Sequence, residues 1–372
     1  MKRLVSLVSL VSLVSLVSLV SLVSAVKVFI TSRIFCFRQP IYLCRAAIAT
    51  AIFLNVVPVY GDKLLADNDG EKYKMETYVY KRVGTLEIKA DVYRPPGEEI
   101  KPVIFWIHGG ALVGGSRTAL PPPKQFEEYM KAGYVLVSID YRLAPVTKLA
   151  GIIEDVEDAY AWLRKEGPAL FKADPERIAV MGMSAGGYLT LTSGFKLNPR
   201  PKALVSFYGY GDITGDWYSK PNPFYIETQP IVSKEAASKA YTGVAIANTD
   251  SLGEDEIQHQ GNFYMYCRQN GLWPNEVGGH DPSKEIEWFS NYEAKKNVTS
   301  SFPPTLLLHG EKDTDVIFEQ SVLMAEELRR HGVDHQLISQ PHWGHGFDHQ
   351  EEDPTVHDAH IQVLNFLSKH LM

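Results

Sequence analysis

From residue 71 onward, short apolar blocks alternate with polar stretches, and the blocks are of two kinds. Leu86, Ile88, Ala90 and Val92 are spaced by single, mostly polar, residues, as one face of a half-buried strand is. Together with residues 78–82 and the Val83-Gly84 turn, they predict an antiparallel hairpin. Later runs are apolar without alternation, at 103–107, 135–139, 178–181, 203–207 and 306–308, and suit parallel strands covered on both faces. A last strand-like run lies at 335–339. Helical spacing fills the gaps. Ile152, Val156, Tyr160 and Leu163 predict a helix over 151–165, and Phe318, Val322, Ala325 and Leu328 predict one over 316–331 that Gly332 stops. Strand alternating with helix implies an α/β domain over 72–372, with a mostly parallel eight-stranded sheet and helices on both of its faces.

One stretch breaks this rhythm. Residues 211–301 are rich in Tyr, Trp, Asn and Pro and are too long for a plain loop. They predict a helical, lid-like insertion between two core strands. Its aromatic residues (Trp217, Tyr218, Phe224, Tyr225, Phe263, Tyr264, Tyr266 and Trp273) fit an apolar substrate pocket or the insertion's own core.

Charge divides the chain in two. Residues 1–61 carry six cations and no Asp or Glu, so they stand at +6; with −7 for the whole chain, the remainder stands at −13. An acidic body speaks against nucleic acid as a partner. Within the leader, Leu-Val-Ser repeats seven times over 4–24, followed by a second apolar stretch at 46–60. The first run is long enough to span a bilayer as a helix. The competing readings are a membrane anchor, a secretory signal ending near Ala25, an organelle transit peptide and a mispredicted start. The first two imply membrane association or secretion, and the last a cytoplasmic body. The body holds one cysteine, Cys267, so no disulfide can form within it, and Cys267 is expected to serve packing.

The chemistry concentrates at strand ends. Gly182-Met183-Ser184-Ala185-Gly186 follows one apolar run and precedes a helical stretch. A strand turning sharply into a helix leaves its corner residue exposed, and flanking glycines let the two elements approach. Ser184 is therefore the candidate nucleophile. A hydroxyl needs a neighbouring base, and the base an orienting acid. Asp313 follows the 306–308 run, with Asp315 as its alternative; His345 sits between two glycines after the 335–339 run, with His342 as its alternative. The order Ser, Asp, His is the one found in hydrolases of this architecture. Glycines after the 103–107 run allow backbone N–H groups to face a developing oxyanion, with the amide of Ala185 as a second donor. His108 reads as structural there. The His345-to-His349 and His357-to-His360 segments read as solvated terminal helix rather than metal ligands, so neither a metal nor an organic cofactor is expected. Asn297-Val298-Thr299 is a glycosylation sequon, relevant if the body enters the secretory pathway.

In combination, His108-Gly109-Gly110, Asp140-Tyr141-Arg142-Leu143-Ala144-Pro145, Gly182-Met183-Ser184-Ala185-Gly186-Gly187 and His345-Gly346-Phe347 resemble the α/β-hydrolase esterases of the hormone-sensitive-lipase-like kind. The resemblance covers about 72–372. It implies the α/β-hydrolase fold, a triad of Ser184, Asp313 and His345, an oxyanion hole from the amides of Gly109, Gly110 and Ala185, and a small-molecule ester as substrate. Two departures bear on substrate class: Ala111 stands where a third glycine is usual, and Val146 where an acid often follows. Such esterases commonly build a cap from N-terminal helices; here 211–301 is the candidate for that place. An ester hydrolase is thus the expected function. The rivals are a serine peptidase or amidase on the same fold, and a binding protein on the fold that has lost turnover.

Overall fold

The computed structural model describes residues 73–372. The readings of the 1–61 leader lie outside the described residues. Among the described residues, no helix is long and apolar enough to cross a membrane.

Eight strands form one sheet in the order β1-β2-β4-β3-β5-β6-β7-β8. They are β1 (Lys74–Val83), β2 (Leu86–Arg94), β3 (Lys101–Ile107), β4 (Val135–Ile139), β5 (Ala173–Met183), β6 (Ala203–Phe207), β7 (Thr305–Gly310) and β8 (His335–Gln340). The expected hairpin is β1–β2, antiparallel, and β2 meets β4 antiparallel; every pairing from β4 to β8 is parallel. This is the α/β-hydrolase fold with its mostly parallel sheet. The non-alternating runs follow from cover on both faces: every residue of β3, β4, β6 and β7 is buried. On one face lie α1 (Pro123–Lys131) and α11 (Pro354–Leu371). On the other lie α2 (Leu149–Phe171), α3 (Ala185–Lys196) and α10 (Glu319–Arg330). Each aliphatic side chain so enclosed contributes about 1.5–3 kcal/mol.

Three sequence readings shift. The helix expected over 151–165 runs on to Phe171, because Leu163, Gly167 and Phe171 continue its buried row past Pro168. The helix expected from 316 starts at Glu319, because Asp313 and His309 hold the backbone just before it (below). The terminal helix is not solvated. Val356, Ala359, His360, Val363, Phe366 and Leu367 recur at three- and four-residue spacing, and α11 packs them against the sheet; His360 is only 4% exposed.

Between β6 and β7 the chain forms α4 (Asp216–Ser219), α5 (Pro223–Thr228), α6 (Lys234–Ser238), α7 (Glu254–Asn270), α8 (Trp273–Gly278) and α9 (Ile286–Ser290). Cys267 is buried in the core these helices share with α2 and α3. Asn297 donates its side-chain N–H groups to the carbonyls of Ser290 (2.6 Å) and Glu293 (2.8 Å), so a glycan, which replaces one hydrogen on that nitrogen, would have to break at least one of these bonds.

Candidate active site

A parallel sheet brings the C-terminal ends of its strands to one edge, and the candidate residues all follow such ends. Ser184 directly follows β5, with φ 55° and ψ −119°, a strained backbone for a side-chain-bearing residue. Its N–H donates to the Phe207 carbonyl (2.9 Å), and its own carbonyl accepts from Tyr188 N–H (2.9 Å), which fixes the corner at both ends. The flanking glycines are required by space. A Cβ on Gly182 would lie 2.6 Å from the carbonyl oxygens of Ile107 and Gly186, and one on Gly186 would collide with the Ile107 carbonyl.

His345 Nε2 lies 3.1 Å from Ser184 Oγ, and its Nδ1 lies 2.7 Å from Asp313 Oδ2. A carboxylate only accepts, so Nδ1 carries a proton. Asp313 is almost fully buried, and its Oδ1 accepts the N–H groups of Asp315 and Val316, both at 2.9 Å. His309 Nε2 stands 3.3 Å from Asp313 Oδ2 and bonds the Val316 carbonyl (2.9 Å), while its Nδ1 meets Ser321 Oγ (2.7 Å). These bonds hold the acid loop in place and delay the start of α10.

Burial opposes charge on His345, but Asp313, with Asp315 and Asp348 beyond it, outweighs burial and raises its pKa to about 9. Burial likewise opposes charge on Asp313, yet His345 and His309 hold its carboxyl well below the usual carboxylate range. The pair thus favours an imidazolium beside an anion.

Glycine brings the loop after β3 close to the serine. A Cβ on Gly109 would meet Met183 O at 3.0 Å and Ser184 Cβ at 3.4 Å. Gly110 has φ 101°, and its carbonyl accepts the N–H groups of Val113 (2.9 Å) and Gly114 (3.0 Å). Ala111 (φ 54°) and Leu112 (φ 64°) continue the left-handed stretch; the Ala111 carbonyl is held by Trp273 Nε1 (3.1 Å) from α8, and the Leu112 side chain is buried. His108 is buried and lies flat on Tyr141, with ring centres 4.2 Å apart. Its Nδ1 bonds the Gly109 carbonyl (2.7 Å), and burial lowers its pKa to about 4, so it is a neutral structural group. The Asp140-Tyr141-Arg142 segment braces the same loop. Tyr141 donates to the His108 carbonyl (3.0 Å), Arg117 pairs with Asp140 (2.8 Å), and Arg142 pairs with Asp155 (2.7 Å).

The structure therefore brings Ser184, Asp313 and His345 into one hydrogen-bonded row, with Gly109 packed against the serine and Ala185 next to it in the chain. It separates the alternatives. His342 turns to Asp353 (2.8 Å) on the surface. Asp315 Oδ2 is 3.6 Å from His345 Nε2, but its Oδ1 faces Tyr225, Tyr264 and Arg268. Among the described residues, no group of three or more His, Cys, Asp or Glu is arranged to hold a metal ion.

Sequence reasoning passed over Tyr208 and Asp348. Tyr208 follows β6 at the same sheet edge with φ 38°. Its ring stands edge-on to His345 at 4.6 Å, and its hydroxyl donates to the buried Asp348 (2.7 Å). The available signal was its place directly after a fully apolar strand.

The fold defines an α/β-hydrolase. The family BD-FAE matches over residues 90–328, and the chain belongs to it, within the α/β-hydrolase esterases. The Dienelactone hydrolase family matches over 287–371. Among curated proteins, the chain is 41% identical over 295 residues to non-reducing polyketide synthase stbA of Stachybotrys bisbyi, covering 70% of this chain and 13% of the synthase. It is 29% identical over 293 residues to non-reducing polyketide synthase atr1 of Stereocaulon alpinum, covering 71% and 12%. The chain thus spans about an eighth of the length of these relatives. Similar solved structures include an alpha/beta hydrolase superfamily protein from Enterococcus faecalis (22% identity, TM-score 0.60, covering 80% of this chain and 99% of that one). Another is Thermogutta terrifontis esterase 2 (20%, 0.54, 80% and 96%). At these identities the likeness shows the fold.

Proposed function

We propose that the protein cleaves carboxylic esters through a covalent acyl-enzyme on Ser184. His345 takes the Ser184 proton as Oγ attacks the ester carbonyl, and returns it to the departing alcohol; a water molecule then repeats the cycle in reverse. Asp313 holds the imidazole by Nδ1 and stabilises its charged form. The amides of Gly109, Gly110 and Ala185 receive the tetrahedral oxyanion. The observation that carries this reading is the position of His345, 3.1 Å from the serine and 2.7 Å from the acid. The substrate is a small-molecule ester. In this reading the helices between β6 and β7 wall the site. Trp273 Nε1 bonds the Ala111 carbonyl at 3.1 Å, Thr249 Oγ1 meets Gly115 N at 3.2 Å, and Arg268 bonds Asp315 at 2.9 Å. Thus 211–301 touches the loops on both sides of the serine.

The likeness to polyketide synthases, whose matching part is thioesterase-like, favours a second reading in which the acyl donor is a thioester. Attack by Ser184 is the same in both. Matched acetyl esters, thioesters and anilides separate these activities and test the amidase rival. Rapid mixing with p-nitrophenyl acetate should release a burst of nitrophenol close to one per active site. A linear release with no trappable acyl-enzyme contradicts the covalent route.

A further inference from the structure

Asp315 faces the proposed base and yet leaves that base to the serine. His345 Nε2 has two oxygen neighbours, Ser184 Oγ at 3.1 Å and Asp315 Oδ2 at 3.6 Å. Once Nε2 carries a proton, a carboxylate is about twice as strong an acceptor for it as a neutral hydroxyl, so an unrestrained Asp315 would draw the imidazolium away from Ser184. Asp315 is not unrestrained. Its Oδ1 accepts from Arg268 Nη1 (2.9 Å), Tyr225 Oη (2.8 Å) and Tyr264 Oη, and Arg268 Nη2 also donates to the Asp315 backbone carbonyl (2.9 Å). Arg268 comes from α7, between β6 and β7, and is 1% exposed. The rings of Trp217, Tyr218, Tyr225 and Tyr264 surround its guanidinium, with centres 4.8–5.8 Å away. A buried ion pair is weak evidence for stability, since apolar residues of similar volume often do as well. This cation also grips the loop that carries Asp313, two residues away.

We propose that Arg268 is a positioning residue: by holding the Asp315 carboxylate it keeps His345 Nε2 directed at Ser184. The proposal rests on the serine-esterase reading and adds to it a link from α7 to the base. The charged and titratable groups around His345 are Asp313 and Asp315 from the loop after β7, Asp348 from its own loop, and Tyr208 after β6. Behind them stand His309, on Asp313, and Arg268, on Asp315. Of these, Arg268 is the permanent cation. Its removal leaves a bare carboxylate next to Nε2, which both competes with Ser184 and favours the protonated imidazole.

The test is the pH profile of kcat/KM for a neutral ester such as 1-naphthyl acetate. Arg268→Gln should lower kcat about tenfold or more, change KM by less than about threefold, and move the acid limb up by about half a pH unit or more. Asp315→Asn keeps the shape and the Oδ1 acceptor but removes the charge, and should move the limb to lower pH. The double variant should regain kcat over Arg268→Gln and return the limb toward wild type. A purely structural Arg268 would lower activity without moving the limb. A stationary limb in folded Arg268→Gln, judged by circular dichroism, therefore overturns the proposal. If that variant does not fold, Asp315→Asn decides alone, and no shift to lower pH overturns it. Ser184→Ala is assayed in parallel. Turnover that survives there sinks the nucleophile, whereas a fixed limb with inactive Ser184→Ala sinks only the Arg268 clamp.

Discussion

The sheet and the helices between β6 and β7 are ordered by different physics. In β3, β4, β6 and β7 every residue is buried and most are aliphatic or aromatic, so residue class decides the structure. In 211–301, Trp217 lies on Tyr218 (4.0 Å) and Tyr218 on Trp273 (4.3 Å), and this stack encloses the Arg268 cation. There, single identities decide. The sheet presents the candidate reactive groups, and the helical segment supplies contacts that reach them from outside.

This difference predicts a graded set of responses. The largest belongs to the sheet edge. Ser184→Ala should reduce ester turnover by about 10⁴-fold or more while leaving thermal unfolding unchanged; a matching loss of folded structure would show that the corner, and not the hydroxyl, was being measured. Next comes the helical segment. Trp273→Ala should cost about 3–5 kcal/mol in denaturant titrations, through lost packing and a lost bond to Ala111. Arg268→Lys keeps the charge but loses the forked contact to Asp315, and should cost about 3 kcal/mol. By contrast, Leu307→Met in fully buried β7 should cost less than about 1.5 kcal/mol. Equal costs for these last two would erase the distinction between class and identity.

The smallest effect is in pH. His345 has its pKa raised to about 9, so the stability from its charged pairing with Asp313 is fully present below the ordinary histidine value. It is lost as pH rises through about 9. Activity runs the other way, because only the neutral imidazole can take the serine proton. Between pH 7 and 10, kcat/KM should therefore climb while Tm declines; the two moving together would contradict the assignment of both to His345.

The same contrast explains what was legible in the sequence. Eight strands could be placed because period two and unbroken apolar runs are written in residue class, and Gly182 and Gly186 mark the corner because only glycine fits against Ile107. Ser184, Asp313 and His345 are singled out as candidates by the rule that reactive groups follow strand ends. Tyr208 follows one too, but an aromatic residue carries no reactive signal, and its bond to Asp348 crosses 140 residues. Arg268 was invisible for a stronger reason. On a helix with no clear apolar stripe it reads as a surface cation, and only the fold shows it buried against Asp315. The amphipathic spacing of 356–367 is present in the sequence, but the histidines at 357 and 360 point toward a solvated helix instead.

The central claim is that His345 activates the hydroxyl of Ser184. Brief exposure to a fluorophosphonate, followed by trypsin and mass spectrometry of peptide 178–196, tests it directly. The account predicts one phosphonyl adduct on Ser184, formed far more slowly in His345→Ala and absent in Ser184→Ala. Contradiction would be an unmodified peptide, or labelling of Ser184 at the same rate without His345.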